Sequence, residues 1–361
     1  MVKYILLFLF GLILLIKGGD WFVDGAVGVA RRFRLSEILI GATIVSIGTT
    51  LPEVMVSSIS AFQGQSDISF GNAIGSVICN TALISAVTVA IRPGKINRRS
   101  LRLPVIFFFA AAVIYCLISY ITKTFSRPFG IVLLAIFAVY IVLSVREAKK
   151  NPIPELAEPA ADKPKEAPAG KAEKVAPSAA ESTETGENEK PEPQDEKTAR
   201  KKARLEFWKE IALLVVGGAC IAVGAKLLVD NGIGISQELG VPQKVIALIF
   251  VALGTSLPEL VTAITALVKG HSALSLGNII GANLFNLVLV SGLSITIKPF
   301  DVPTETTLNG LNTSLLVDLP LMLSVMLILT VPALIRGKLS RWQGILLLSL
   351  YAAFCVFQFV I

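Results

Sequence analysis

Residues 48–58 read GTTLPEVMVSS, which sets a proline beside a carboxylate inside an apolar run that begins near Glu37. A helix of membrane-crossing length tolerates neither easily. Pro52 has no N–H, so the helical bond to the Gly48 carbonyl is lost and the ring crowds that carbonyl off the axis. In hydrocarbon a freed carbonyl is costly unless it meets water, protein or an ion. Glu53 would itself cost a few kcal/mol against lipid, since insertion scales give roughly 2.5–3.5 kcal/mol for the comparable aspartate at a helix centre. A bound cation answers both costs, because the carboxylate and the released carbonyl oxygens lie within one turn.

The surroundings of this stretch are those of a membrane protein. Of the 361 residues, 53% are hydrophobic and 16% charged, the mean hydropathy is +0.72, and a soluble domain carries about a quarter charged residues. Apolar runs of roughly the 20 residues that a bilayer core requires fall near 3–27, 36–62, 68–91, 101–122, 128–147, 208–234, 243–268, 272–297, 313–335 and 340–361. They predict an all-α membrane protein of ten transmembrane helices in two groups of five. The first run passes signal-peptide length without a small-residue cleavage site and reads as a retained helix. Basic residues stay on the cytoplasmic side. With the N-terminus outside, the inner short loops hold twelve Lys and Arg against five on the outer face. A multi-pass protein of the cell membrane is expected, with both termini outside. The net charge of +7 thus sets orientation and calls for no nucleic-acid partner.

Between about Ala148 and Leu205 the composition changes. Eight of the 18 prolines sit there, aromatic residues are absent, and basic and acidic residues tie at twelve each. Such a segment buries too little apolar surface to offset its ordering entropy, so it reads as a disordered cytoplasmic linker over 148–205. The flanking halves, 1–147 and 206–361, repeat. Adding 206 to a residue number maps Asp24 to Asp230, Glu53 to Glu259, Asn72 to Asn278 and Asn80 to Asn286, without a gap across 57 positions. GTTLPE faces GTSLPE at five of six positions, and GNAIGSVICN faces GNIIGANLFN. Five spans per half is an odd number, so the second copy must cross the bilayer upside down. Inverted repeats with irregular helices at mid-depth are a secondary-transporter architecture with the site at the repeat interface.

Pro258 and Glu259 reproduce the first motif, and the residues near both glutamates supply oxygen and nothing soft. Thr49 and Glu53, like Thr255 and Glu259, are four apart and share a helix face. On the next span Asn72, Ser76 and Asn80 form a polar stripe, repeated as Asn278, Ala282 and Asn286. Hard ions such as Ca²⁺ take six to eight oxygens at about 2.3–2.6 Å, whereas Zn²⁺ or Cu⁺ would want His or Cys. His271, the one histidine, reads as a solvated loop residue, and the four cysteines fall singly inside apolar spans as small hydrophobes. Small residues such as Gly71 with Gly75, or Gly277 with Gly281, can serve close helix approach with no ligand. No packing need explains one carboxylate per half at equivalent depth. Asp20, Asp24 and Asp230, with Lys17 and Lys226, lie near span ends and read as interfacial anchors or local ion pairs.

These residues resemble the cation/calcium exchanger superfamily, whose repeats carry G-T-S-x-P-E on one helix and G-N-x-x-G-S-x-x-x-N/D on the next. The similarity spans both halves and leaves out the linker. It implies a ten-helix antiporter that expels Ca²⁺ in exchange for Na⁺, with alternating access by sliding of the two first spans. By motif, Glu53 and Glu259 are implied as central Ca²⁺ ligands. Thr49, Thr50, Thr255 and Ser256 would line the sites, Ser76, Asn80 and Asn286 would complete them, and the carbonyls of Ser46 and Ala252 would join as Na⁺ ligands. Three positions depart from the pattern. Thr50 stands where Ser is common, Ala282 lacks a hydroxyl, and Asn286 replaces the Asp of many Na⁺-using members.

The two glutamates, at about −2, neutralise one Ca²⁺ but support several Na⁺ less well, so H⁺ stays open beside Na⁺ as the coupling ion. A cation channel or sensor with the same oxygens and no coupled exchange is the alternative from another class. The partners read from the sequence are Ca²⁺, a counter-ion and the bilayer. No cofactor and no enzymatic chemistry are expected, because neither a GxxxxGK[ST] loop nor an HExxH motif occurs.

Overall fold

The computed structural model describes residues 2–33, 35–150, 193–238, 254–303, 307–308 and 311–360. Its helices are α1 (Val2–Arg32), α2 (Glu37–Thr49), α3 (Leu51–Phe62), α4 (Ser66–Ile91), α5 (Arg98–Ile121) and α6 (Arg127–Lys150). After the charged stretch come α7 (Pro193–Glu238), α8 (Leu257–Val268), α9 (Ser272–Ile297), α10 (Ser314–Arg336) and α11 (Arg341–Val360). Seven of them, α1, α4, α5, α6, α7, α9 and α10, are long and apolar enough to cross a membrane. Counting α2 with α3 as one span bent by 46° makes eight among the described residues. The chain is a helical membrane protein. Of the other two runs read from the sequence, the seventh is described only from Gly254, in α8, and the tenth is α11 with 20 residues.

Helix α7 begins at Pro193, inside the stretch read as linker. Proline suits the first helical turn, where its missing N–H would find no partner anyway. The Glu, Lys, Arg and Ala residues that follow are good helix formers, which outweighs the polarity that marked this stretch as unstructured. The remainder of the linker reading, residues 151–192, lies outside the described residues.

Burial sorts the helices into two bodies. The apolar windows of α4 and α9 are 72% and 83% buried, against 22% for α1 and α7, so α4 and α9 are central and α1 and α7 peripheral. The main core joins α4, α5, α6, α9, α10 and α11 through Ile74, Phe108, Tyr140, Phe285, Met322 and Leu347. A second cluster, including Phe22, Ala26, Val45, Ile221, Ala266 and Leu274, packs α1 and α7 against α2, α8 and α9. Helices α1 and α7 meet backbone to backbone: a Cβ on Gly18 would stand 2.9 Å from the Gly217 carbonyl oxygen, so only glycine permits this seam. A two-residue antiparallel pair, β1 (Thr124–Phe125) with β2 (Phe300–Asp301), ties the loop before α6 to the chain after α9.

The repeat reappears in the element bounds. Leu51–Phe62 and Leu257–Val268 differ by 206 at both ends, as do the regular first parts of α4 and α9, Ser66–Cys79 and Ser272–Phe285. Each regular part gives way to a π-helical turn, Asn80–Ser85 in α4 and Asn286–Val290 in α9. A third such turn, Gly41–Val45, interrupts α2.

Candidate functional site

The bend between α2 and α3 falls at Thr50, two residues before Pro52. The proline sits in the first turn of α3, so the chain restarts a helix at the point where its own bond to Gly48 is missing. Glu53 is in that first turn, and Glu259 is in the first turn of α8 after Ser256 and Pro258. The positive end of each helix dipole favours a carboxylate there.

Both glutamates are fully buried, and none of their four carboxylate oxygens has a hydrogen-bond partner. The two carboxylates are close enough for the charge of one to act on the other. The hydroxyls of Thr49 and Thr50, from the first half, lie beside Glu259 from the second without forming a hydrogen bond to it. The structure thus brings Thr49, Thr50, Glu53 and Glu259 together across the two halves. Thr50 Oγ1, Ser256 Oγ and both side-chain polar atoms of Asn80 and of Asn286 are also buried without partners. A buried polar group left unpaired costs about 1–3 kcal/mol, more for a charged one. So many unpaired oxygens at matching positions call for a ligand. Among the described residues no group of three His, Cys, Asp or Glu is poised to hold a metal ion, so any cation here relies on two carboxylates and neutral oxygens.

The π turns position these groups. Asn80 and Asn286 are the first residues of theirs. Such a turn inserts a residue and releases a carbonyl from the regular ladder, a feature that recurs at functional sites. Ser85 Oγ donates to the Thr81 carbonyl at 2.5 Å, and its counterpart Ser291 donates to the Asn286 carbonyl at 3.1 Å. In α2, Ser46 Oγ donates to the Gly41 carbonyl at 2.7 Å, and the buried Tyr140 hydroxyl from α6 donates to the Ala42 carbonyl at 2.8 Å.

Ser76 is buried one turn before Asn80, and Thr255 is half-buried in the wall of a cavity of about 850 Å³ between α1, α3, α7 and α8. The cavity is mostly apolar and reaches Gly48 and Pro52 at the bend, and Gly254 and Pro258 at the start of α8. Ser46, expected to offer its carbonyl, is fully buried; its carbonyl accepts from the Thr50 N–H at 2.9 Å. Ala252 lies outside the described residues.

Three features were not read from the sequence. Asn278 joins α9 to α2 through Thr49, Tyr140 supports a π turn, and the π turns themselves have no composition signal. The polar stripe was the available clue to Asn278, and a hydroxyl alone in an apolar span the clue to Tyr140. His271 corrects its reading as solvated: it is largely buried, with Nδ1 2.7 Å from Glu37 Oε1. Glu37 opens α2 after the Ser36 cap, so helix entry and loop meet at one place. Lys269 pairs with Asp24 at 2.7 Å and with Asp20 at 3.5 Å, and Lys226 pairs with Asp230 at 3.8 Å, so these aspartates do form local ion pairs.

The family model described as sodium/calcium exchanger protein matches residues 3–146 and 209–360. The sodium/calcium exchanger MaX1 of Methanosarcina acetivorans is 32% identical over 99% of this chain and 98% of its own length. The putative antiporter CaxA of Alkalimonas amylolytica is 30% identical, covering 98% and 97% of the two chains. Among solved structures, the sodium-calcium exchanger NCX_Mj soaked with Na⁺ and Sr²⁺ superposes with a TM-score of 0.72 at 28% identity, over 98% of this chain and 97% of that one.

Proposed function

The chain belongs to the sodium/calcium exchanger family, a family of transporters, and from that premise we propose that it is a secondary antiporter that moves Ca²⁺ against Na⁺ by alternating access. The observation that carries this reading is the pair of fully buried glutamates, one from each half, whose four oxygens have no partner. Two carboxylates carry the charge of one Ca²⁺, and the unpaired Thr50, Ser256, Asn80 and Asn286 oxygens supply the rest of the six to eight that replace its water. Thr49, Thr255 and Ser76 line the same place, and carbonyls at Ser46 and Ala252 serve Na⁺. The cation is cargo here, held in a dry site and released without covalent chemistry or cofactor.

In this reading the protein has ten spans as two inverted five-helix repeats, with both termini outside and the stretch after α6 in the cytoplasm. The matching bounds at an offset of 206 support the repeat. Helices α1 and α7 move together past the other helices. Their glycine seam holds them as one unit, and they stand outside the main core.

Asn286 favours a second reading, Ca²⁺/H⁺ exchange. An amide there leaves two carboxylates rather than three, enough charge for one Ca²⁺ and less than several Na⁺ require together. Uptake of ⁴⁵Ca²⁺ into vesicles holding the purified protein, driven either by an outward Na⁺ gradient or by an outward H⁺ gradient, separates the two. Glu53→Gln or Glu259→Gln should abolish uptake under both gradients; full transport by either variant sinks the site assignment. Uptake that needs neither gradient, with unitary currents, would make the protein a channel.

A further inference from the structure

Asn72 and Asn278 occupy equivalent places in the two halves, yet their side chains make different contacts. Asn72 donates to the Glu53 carbonyl at 3.2 Å and to the Ser57 hydroxyl at 2.8 Å, both in its own half. Asn278 reaches into the opposite half, where its Oδ1 accepts from the Thr49 hydroxyl at 3.2 Å and from the Ser46 hydroxyl at 3.3 Å. Its backbone carbonyl accepts from Ser46 as well, at 2.9 Å. One substitution within the repeat bears on the difference. Ala263 stands where the first half has Ser57. Asn278 therefore has no hydroxyl at position 263 to receive its amide protons, and its fully buried Nδ2 is without a partner. The single Ser46 proton lies closest to the Gly41 carbonyl, at 2.7 Å, so Thr49 is the hydroxyl that donates to the Asn278 amide oxygen.

A threonine hydroxyl has one proton and two lone pairs, so whichever neighbour takes the proton decides what the lone pairs face. Thr49 has two acceptors at hand, the Glu259 carboxylate beside it and Asn278 Oδ1. A free carboxylate is the stronger acceptor. Once Glu259 holds a cation, a proton aimed at that carboxylate also points at the positive charge, and the hydroxyl serves as a ligand only if the proton has somewhere else to go. We propose that Asn278 is a positioning residue that accepts the Thr49 proton when a cation occupies the Glu53–Glu259 pair, turning the Thr49 lone pairs toward the ion. The inference rests on the reading of Thr49, Glu53 and Glu259 as cation ligands. It makes the site functionally unequal: Asn278 takes the proton of a threonine from the opposite half, whereas the contacts of Asn72 are donations from its NH₂ to the Glu53 carbonyl and the Ser57 hydroxyl of its own half.

The test is a double-mutant cycle on the full chain in vesicles, reading the half-saturating Ca²⁺ concentration and the maximal rate of ⁴⁵Ca²⁺ uptake. Asn278→Ala should raise the half-saturating concentration about tenfold, the scale of one hydrogen bond, with the maximal rate within about twofold. Thr49→Ala should do the same. The double variant should be no worse than Thr49→Ala alone, because Asn278 acts through Thr49; effects that multiply overturn the proposal. Asn278→Asp keeps an acceptor of the same size and should not raise the half-saturating concentration. A rise equal to that of Asn278→Ala would also overturn it. Should Asn278→Ala fail to fold, Asn278→Leu fills the volume without an acceptor and takes its place in the cycle. Wild-type vesicles that take up no ⁴⁵Ca²⁺ under either gradient mark failure of the functional reading itself, whereas an active wild type with multiplying variants sinks this inference alone.

Discussion

Gly281→Ala probes the contact on which the site depends. A Cβ on Gly281 would overlap the Ser46 hydroxyl and stand 2.5 Å from Ala42 Cα and 2.8 Å from the Ala42 carbonyl carbon. Carbon atoms prefer about 3.5–4.0 Å, so α2 would have to retreat from α9 by about 1 Å. The obstacle is backbone, and no rotamer change relieves it. Overpacking of this kind costs about 1–3 kcal/mol. Ser46 also stands to lose its contact across to the Asn278 carbonyl at 2.9 Å, at about 1 kcal/mol. The sum, roughly 2–4 kcal/mol, should lower the thermal midpoint of the detergent-solubilised protein by on the order of 10 °C. The same displacement carries Thr49 away from Asn278 on α9 and out of its place in the site, and since coordination distances tolerate only tenths of an ångström, Ca²⁺ uptake should fall at least about tenfold. Adding Ser46→Ala should not rescue the variant, because the Ala42 backbone still blocks the methyl. Gly94→Ala, where a Cβ meets nothing within 4 Å, should match the wild type. A Gly281→Ala protein with normal midpoint and uptake would refute the reasoning.

Other variants follow from single contacts. Pro332 in α10 cannot bond the Ile328 carbonyl, and Gln343 from α11 donates to it at 2.8 Å; Gln343→Leu should lose about 1–3 kcal/mol in thermal unfolding, and Pro332→Ala added to it should restore most of that by returning the N–H. Tyr140→Phe removes the donor to the Ala42 carbonyl at 2.8 Å, so a loss of about 1–3 kcal/mol with weakened Ca²⁺ uptake is expected, and unchanged unfolding would show the π turn stands without it. Asn286→Asp adds a third carboxylate beside the pair and should lower the Na⁺ concentration that half-drives Ca²⁺ exchange; an unchanged Na⁺ dependence would remove Asn286 from the ion site.

The sequence alone made the helical membrane class legible, together with the ungapped repeat and the glutamates beside their prolines. All three are local or compositional. A proline breaks the same helical bond wherever the helix lies, and two copies with the same proline and glycine spacing end their elements at equivalent residues, as Leu51–Phe62 and Leu257–Val268 do. What the fold alone decided is which oxygens face one another. Gly277 and Gly281 proved to be close-approach positions, against Ile38, Ala42 and Ser46, although the sequence weighed them no differently from Gly71 and Gly75. His271 found Glu37 at a separation of 234 residues, and Asn278 found Ser46 and Thr49 at separations of 232 and 229. The π turns also belong to the fold: serines of the same helices meet the carbonyls of Gly41, Thr81 and Asn286, but that of Ala42 is met by Tyr140 from another helix. A repeat read along the chain assigns each half its own oxygens; only the packing of one half on the other turns them toward a shared centre, where a substitution as small as Ala263 for Ser57 leaves equivalent asparagines with unequal partners.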